Sequence, residues 1–376
     1  MSRIWLSSPH MGENEKKFVE EAFSTNWVAP LGPNVDFFEN QLSEYVGVNA
    51  AVSLNSGTAA LHLALSLLEV NQGDVVLCQS FTFAASAFPI IYCGAEPVFI
   101  DSEADTWNID PQLLEKAIED QLQNGKKIAA IIVVHLYGMP AKMNELLLIS
   151  EKYGIPIIED AAEALGSSYN NKACGSFGKA GILSFNGNKI ITTSGGGALL
   201  SNDEKLIAKT RHVSAQAKDP APYYLHTQVG YNYRLSNICA GIGRGQMEVL
   251  PERIKKRRAI FEQYRIGLSR VEGISFLEEP NGFFSNRWLT TIVFDEKYFK
   301  LGTIETLRQY LETLNIESRP LWKPLHQQPV FADCKSYNNG ISDRLFDTGL
   351  CLPSGSNLSE SVIENVINEI KKHLGI

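Results

Sequence analysis

The sequence predicts an α/β protein: a large domain built on a mostly parallel sheet, followed by a smaller C-terminal α+β domain. Three observations carry this. Short, uniformly apolar runs recur between residues 50 and 200 with helical patterns between them, as strands covered on both faces do. The chemically suggestive residues fall just beyond the carboxyl ends of those runs, where open parallel sheets bind ligands. Near residue 250 the pattern changes, and a charged amphipathic stretch precedes a segment of mixed character.

In chain order, a helix is expected over 11–25, able to pack with either domain. The first strand, 51–54, leads through Ser56-Gly57-Thr58 into a helix over 59–68 whose apolar residues recur at helical spacing. Strands follow at 74–77, 97–100, 128–134, 155–158, 181–185 and 197–200. A charged helix over 251–270 links to the second domain. There 288–294 and 317–321 read as strands flanking a helix at 303–314, and a last helix covers 360–374. The expected division is 1–250 and 251–376, one large core and one small, as a chain of 376 residues suggests.

Composition narrows the classes. Hydrophobic residues make up 44% and charged residues 20%, ordinary for a soluble globular protein. A formal charge of −8 argues against nucleic-acid and membrane-surface partners. Six cysteines (Cys78, Cys93, Cys174, Cys239, Cys334, Cys351) form no C-x-x-C pair, so reduced thiols are expected and no metal site. Residues 1–9 lack the apolar segment of a secretory signal, and the longest apolar runs are too short to span a bilayer. A cytoplasmic enzyme is the expectation.

The chemistry centres on Lys189, just past a strand and before the cluster Gly195-Gly196-Gly197. A lysine there, with neighbours that keep its amine neutral part of the time, suits covalent chemistry on a carbonyl. A solvated surface lysine is the ordinary alternative. Upstream, the strand 155–158 runs into Glu159-Asp160. A carboxylate at one strand end and a lysine after the next, about thirty residues on, match the needs of a pyridinium ring held by a lysine. Glu163 would lie one turn beyond, near the ring's other polar substituents. Gly57 and Thr58 open a helix, a ready anion site, though Ser56 as a plain N-cap explains the same residues. Phe83 could stack on a planar cofactor or belong to the core. The polar and aromatic run 230–237 reads most simply as a helix start capped by Ser236. Arg319, Lys323 and His326 place three potential cations within eight proline-stiffened residues, suited to a diphosphate or simply solvated.

With Ser56-Gly57-Thr58, Asp160-Ala161-Ala162-Glu163, Ser184-x-x-x-x-Lys189 and Gly230-Tyr231-Asn232-Tyr233-Arg234 in that order, the chain resembles the DegT/DnrJ/EryC1/StrS family over nearly its whole length. The resemblance implies a pyridoxal-phosphate-dependent transferase of fold type I that aminates nucleotide sugars. By it, Lys189 tethers the cofactor and carries protons, and Asp160 partners the pyridine nitrogen. Gly57, Thr58 and Ser184 hold the phosphate, Phe83 stacks on the ring and Glu163 lies beside it. Asn232 reaches the phosphate from the other subunit of a homodimer. The family's dehydratase branch has histidine at the lysine position, so Lys189 favours transamination, with L-glutamate as donor. The stretches 27–33, 8–11 and 322–326 look most like the bacillosamine-pathway 4-aminotransferases, which implies UDP-2-acetamido-4-keto-2,4,6-trideoxyglucose as acceptor; dTDP- and GDP-keto-sugar enzymes are close relatives. Trp27, Arg234, Arg319, Lys323 and His326 are the expected substrate contacts. Two other readings stay open: a catalytically idle cofactor-binding regulator, and a nucleotide-binding α/β protein without this cofactor.

Overall fold

In the computed structural model, which describes residues 3–376, the apolar runs assemble into one eight-stranded sheet. Its order is Ala50–Leu54, Gly197–Ser201, Ala180–Ser184, Ile157–Asp160, Ile128–Val134, Val75–Gln79, Glu96–Ile100 and Ser336–Tyr337. Gly197–Ser201 is antiparallel to both its neighbours and every other pairing is parallel. Seven strands therefore share one carboxyl edge. Ile128–Val134 is buried along its whole length, the mark of a strand covered on both faces. Separate apolar clusters fill the two sides, one including Phe99 and Leu199, another Ile118 and Ile131.

A second, four-stranded antiparallel sheet orders Ile274–Phe276, Thr290–Phe294, Gly349–Leu352 and Arg319–Pro320. Helices Thr303–Thr313 and Glu360–Leu374 cover it through Leu307, Leu311, Ile363 and Val366. The N-terminal segment joins this body: Ile4 bridges to Ile316, and Leu6 O accepts the Ser354 N–H at 2.8 Å.

Several elements run differently from expectation. The boundary at 250/251 falls inside one helix, Asn237–Leu268, with Pro251 within it. The first half of that helix packs on helices Glu15–Ser24 and Pro33–Val46; its second half supplies Ile260, Tyr264 and Leu268 to the core of the small sheet. Burial of both halves outweighs the one backbone bond that proline removes. Ser336–Tyr337, in the expected small domain, extends the large sheet instead. The helix expected at 11–25 is only Glu15–Ser24, because the Glu15 carboxylate takes the Gly12 N–H at 2.7 Å and starts it there. The strand expected at 317–321 shrinks to Arg319–Pro320. Among the described residues no helix is long and apolar enough to cross a membrane.

Candidate active site

The carboxyl ends of the central strands enclose a cavity of about 360 Å³. At one end the turn after Ala50–Leu54 enters helix Gly57–Leu67. Ser56 caps it, its side chain accepting the Ala59 N–H at 3.0 Å. The first-turn N–H groups of Gly57 and Thr58 have no carbonyl within the helix to bond, and both residues line the cavity with Ser184. Gly197 allows the antiparallel strand to approach this turn. A Cβ there would lie 2.3 Å from Gly57 N and 2.4 Å from Ser56 C, so any side chain would displace the anion-binding backbone.

On the floor, Asp160 is buried, its Oδ2 accepting the Ser86 hydroxyl at 2.7 Å and its Oδ1 the Ala162 N–H at 3.2 Å. Glu159, one residue earlier, points to the other side. It is fully buried and accepts the Gly175, Phe177 and Gly178 N–H groups at 2.8, 2.6 and 2.7 Å, which fixes the strand end that presents Asp160. Lys189 Nζ lies 3.7 Å from Glu163 Oε1 and 4.2 Å from the centroid of the Trp288 ring. Burial raises the Glu163 carboxyl above its ordinary value, and nearby Lys189 opposes that rise. The Asn188 carbonyl, immediately before the lysine, accepts the Ser7 hydroxyl at 2.7 Å and the Trp288 indole N–H at 2.8 Å. Trp288 and Trp322 bring the C-terminal part of the chain to the cavity, and Phe83 lies 5.3 Å from the Trp322 ring.

This donor set fits pyridoxal 5′-phosphate. A helix N-terminus with two hydroxyls would take the phosphate. Asp160 would face the ring nitrogen, and Lys189 would tether the reactive carbon. Such a site on a sheet of this order defines a pyridoxal-phosphate-dependent transferase of fold type I. A profile of the DegT/DnrJ/EryC1/StrS aminotransferase family matches residues 9–371. The chain is similar to EpsN of Bacillus subtilis (strain 168), provisionally named a pyridoxal phosphate-dependent aminotransferase: 52% identity over 376 residues, 99% of this chain and 96% of that one. It is 36% identical over 370 residues to the GDP-perosamine synthase of Caulobacter vibrioides, covering 98% and 97%. A crystal structure of a DegT DnrJ EryC1 StrS aminotransferase from Brucella abortus matches with a TM-score of 0.89 at 31% identity, over 96% of each chain. The chain belongs to the DegT/DnrJ/EryC1/StrS aminotransferase family. It is a pyridoxal-phosphate-dependent sugar aminotransferase.

The structure brings Gly57, Thr58, Phe83, Asp160, Glu163, Ser184 and Lys189 to one cavity. It does not bring the expected substrate contacts there. Arg234 turns instead to Glu39, whose Oε1 lies 2.9 Å from its Nη1; Glu39 is buried and paired with Arg211 as well, so this cation is spent on the fold. Arg319 is paired with Glu317 at 2.9 Å and lines a different cleft, with Arg3 and Arg308. Lys323 lies over the Phe346 ring at 5.2 Å. His326 is held between Ser80 at 2.7 Å and Asp343 at 2.9 Å. None of these three cations lines the cavity, although the cleft that holds Arg319 shares Trp322 with it. Trp27 is 40% exposed and outside the cavity wall. Asn232 is exposed too, its carbonyl accepting the Asn55 side-chain N–H at 3.3 Å, and Ser236 caps the following helix at Cys239 N. Sequence reasoning missed Ser86, Tyr137 and Trp288. Ser86 and Tyr137 do lie just past strand ends, a signal that was present; Trp288 arrives only through tertiary packing.

Proposed function

We propose that the enzyme transfers the amino group of L-glutamate to C4 of a nucleotide-linked 4-keto-6-deoxy sugar. UDP-2-acetamido-4-keto-2,4,6-trideoxyglucose is the first candidate, its product a UDP-4-amino sugar for bacillosamine-type glycans. The observation that carries amino transfer is Lys189, held by Glu163 and Trp288 in a cavity whose other end is an anion-binding helix start. Bound pyridoxal phosphate supplies an electrophilic carbon and an electron-withdrawing ring. Lys189 Nζ then takes the proton from the α-carbon of the donor and, in the sugar half-reaction, returns one to C4. Glu163 and the Trp288 ring hold that nitrogen in place when it is charged. Asp160 keeps a proton on the ring nitrogen. Gly57, Thr58 and Ser184 hold the phosphate, while Phe83, Trp288 and Trp322 supply the aromatic lining of the cavity.

The protein acts as a homodimer in this reading, with Asn232 completing the phosphate site of the partner. Exposed Tyr223, Tyr224 and Val229, in the segment before Asn232, supply apolar surface for a second copy, as do Trp27, Val28 and Leu31. The UDP sugar is favoured by the wording of residues 27–33 and 322–326. Similarity to a GDP-perosamine synthase favours a GDP-linked 4-keto sugar instead. Assaying UDP-, dTDP- and GDP-linked keto sugars with glutamate separates the two; turnover of the GDP compounds alone overturns the first.

A further inference from the structure

Tyr137 has a backbone at φ 53° and ψ 20°, the left-handed region that glycine enters freely and a bulky aromatic resists. The turn cannot relax at the next residue. Gly138 sits at φ 87°, and the Asn286 amide oxygen lies 2.0 Å from where a Cβ would stand. This conformation aims the Tyr137 N–H at Glu163 Oε2, 2.6 Å away, while the other carboxylate oxygen faces Lys189. The ring lies nearly parallel to two tryptophans of the cavity wall. Trp288 is at 6.3 Å and 15°, Trp322 at 6.3 Å and 3°. The phenol oxygen accepts the Trp322 N–H at 2.9 Å. Burial, with Cys351 and Glu163 nearby, pushes this phenol well above its ordinary value, so it stays an un-ionised acceptor.

Backbone strain held in place at a binding site points from the outlier to a role. We propose that Tyr137 is a positioning residue for the sugar half-reaction. Its hydroxyl and ring hold Trp322 as the facing wall of the cavity, while its N–H, which sets Glu163 against Lys189, serves both half-reactions. A tyrosine that merely filled the core would affect both half-reactions alike. The assignment rests on the sugar-aminotransferase reading of the cavity.

Tyr137→Phe removes one oxygen and leaves the backbone and the Glu163 contact in place. It should keep the glutamate half-reaction within about twofold while raising KM for the accepted nucleotide sugar about tenfold, the worth of one hydrogen bond. Hydrogen exchange of the peptide 321–326, followed by mass spectrometry without substrate, should quicken in the variant. An unchanged KM, or equal slowing of both half-reactions, overturns the proposal. A wild-type enzyme that accepts none of the keto sugars refutes the substrate reading instead. Tyr137 is then judged by exchange alone, and exchange as slow as wild type overturns it.

Discussion

Lys189 concentrates the chemistry at the scale of single residues. Lys189→Ala should abolish turnover yet leave a folded protein by circular dichroism, at a cost of about 1 kcal/mol, since it removes the Glu163 and Trp288 contacts. The Glu163 contact also makes the loss pH-dependent. The folded-state value of Glu163 is raised, so the stability it contributes is complete below the ordinary carboxylate range and lost as pH rises through the raised value. Removing the lysine cation raises it further. The gap in melting temperature between wild type and variant should therefore widen as pH rises above the carboxylate range; a gap independent of pH would contradict this. For Arg319 the structure supplies a partner and a place outside the cavity. Its side chain is 68% exposed, it is paired with Glu317 and it lines another cleft. Arg319→Ala should change KM for the nucleotide sugar by less than about twofold, because exposed pairs contribute little. A tenfold rise would restore Arg319 to the sugar site.

At the scale of elements, the inner strands were legible because burial on both faces demands unbroken apolar runs, as in Ile128–Val134. Short edge pieces were not. Ser336–Tyr337 has only two residues, and it is held by a fully buried carboxylate rather than by its own propensity. Asp101, just after Glu96–Ile100, accepts the N–H groups of Asn339, Gly340 and Ser342 at 3.0, 2.9 and 3.1 Å. Asp101→Ala leaves these donors unpaired and should cost about 2–3 kcal/mol. Limited proteolysis should then cut within 338–342; a melting temperature and cleavage pattern equal to wild type would show that the segment docks without this anchor.

At the scale of the whole molecule, an apolar cluster containing Tyr137, Trp288, Leu321 and Cys351 joins the two sheets, so the parts expected to divide at residue 250 share a core. The proposed homodimer predicts a complementation result. Lys189→Ala and Asn232→Ala subunits should each be nearly inactive alone. If Asn232 serves the partner's site, each mixed dimer carries one intact site, and random co-assembly should restore about a quarter of wild-type activity. No recovery on co-expression would place Asn232 in its own subunit's site or leave the chain monomeric.

By itself the sequence indicated the parallel sheet and the carboxyl edge as the place of chemistry, and singled out Lys189, Asp160 and the Gly57-Thr58 turn, which the structure brings to one cavity. Each follows from local rules: buried strands must be apolar, helix starts bind anions, and reactive groups sit just past strand ends. Only the tertiary structure decided that Trp288 and Tyr137 meet Lys189 and Glu163, and that Arg234 and His326 turn to carboxylates distant in sequence, Glu39 and Asp343. A charge in a sequence does not reveal its partner. Which carboxylate a cation finds is settled by the folded path of distant segments.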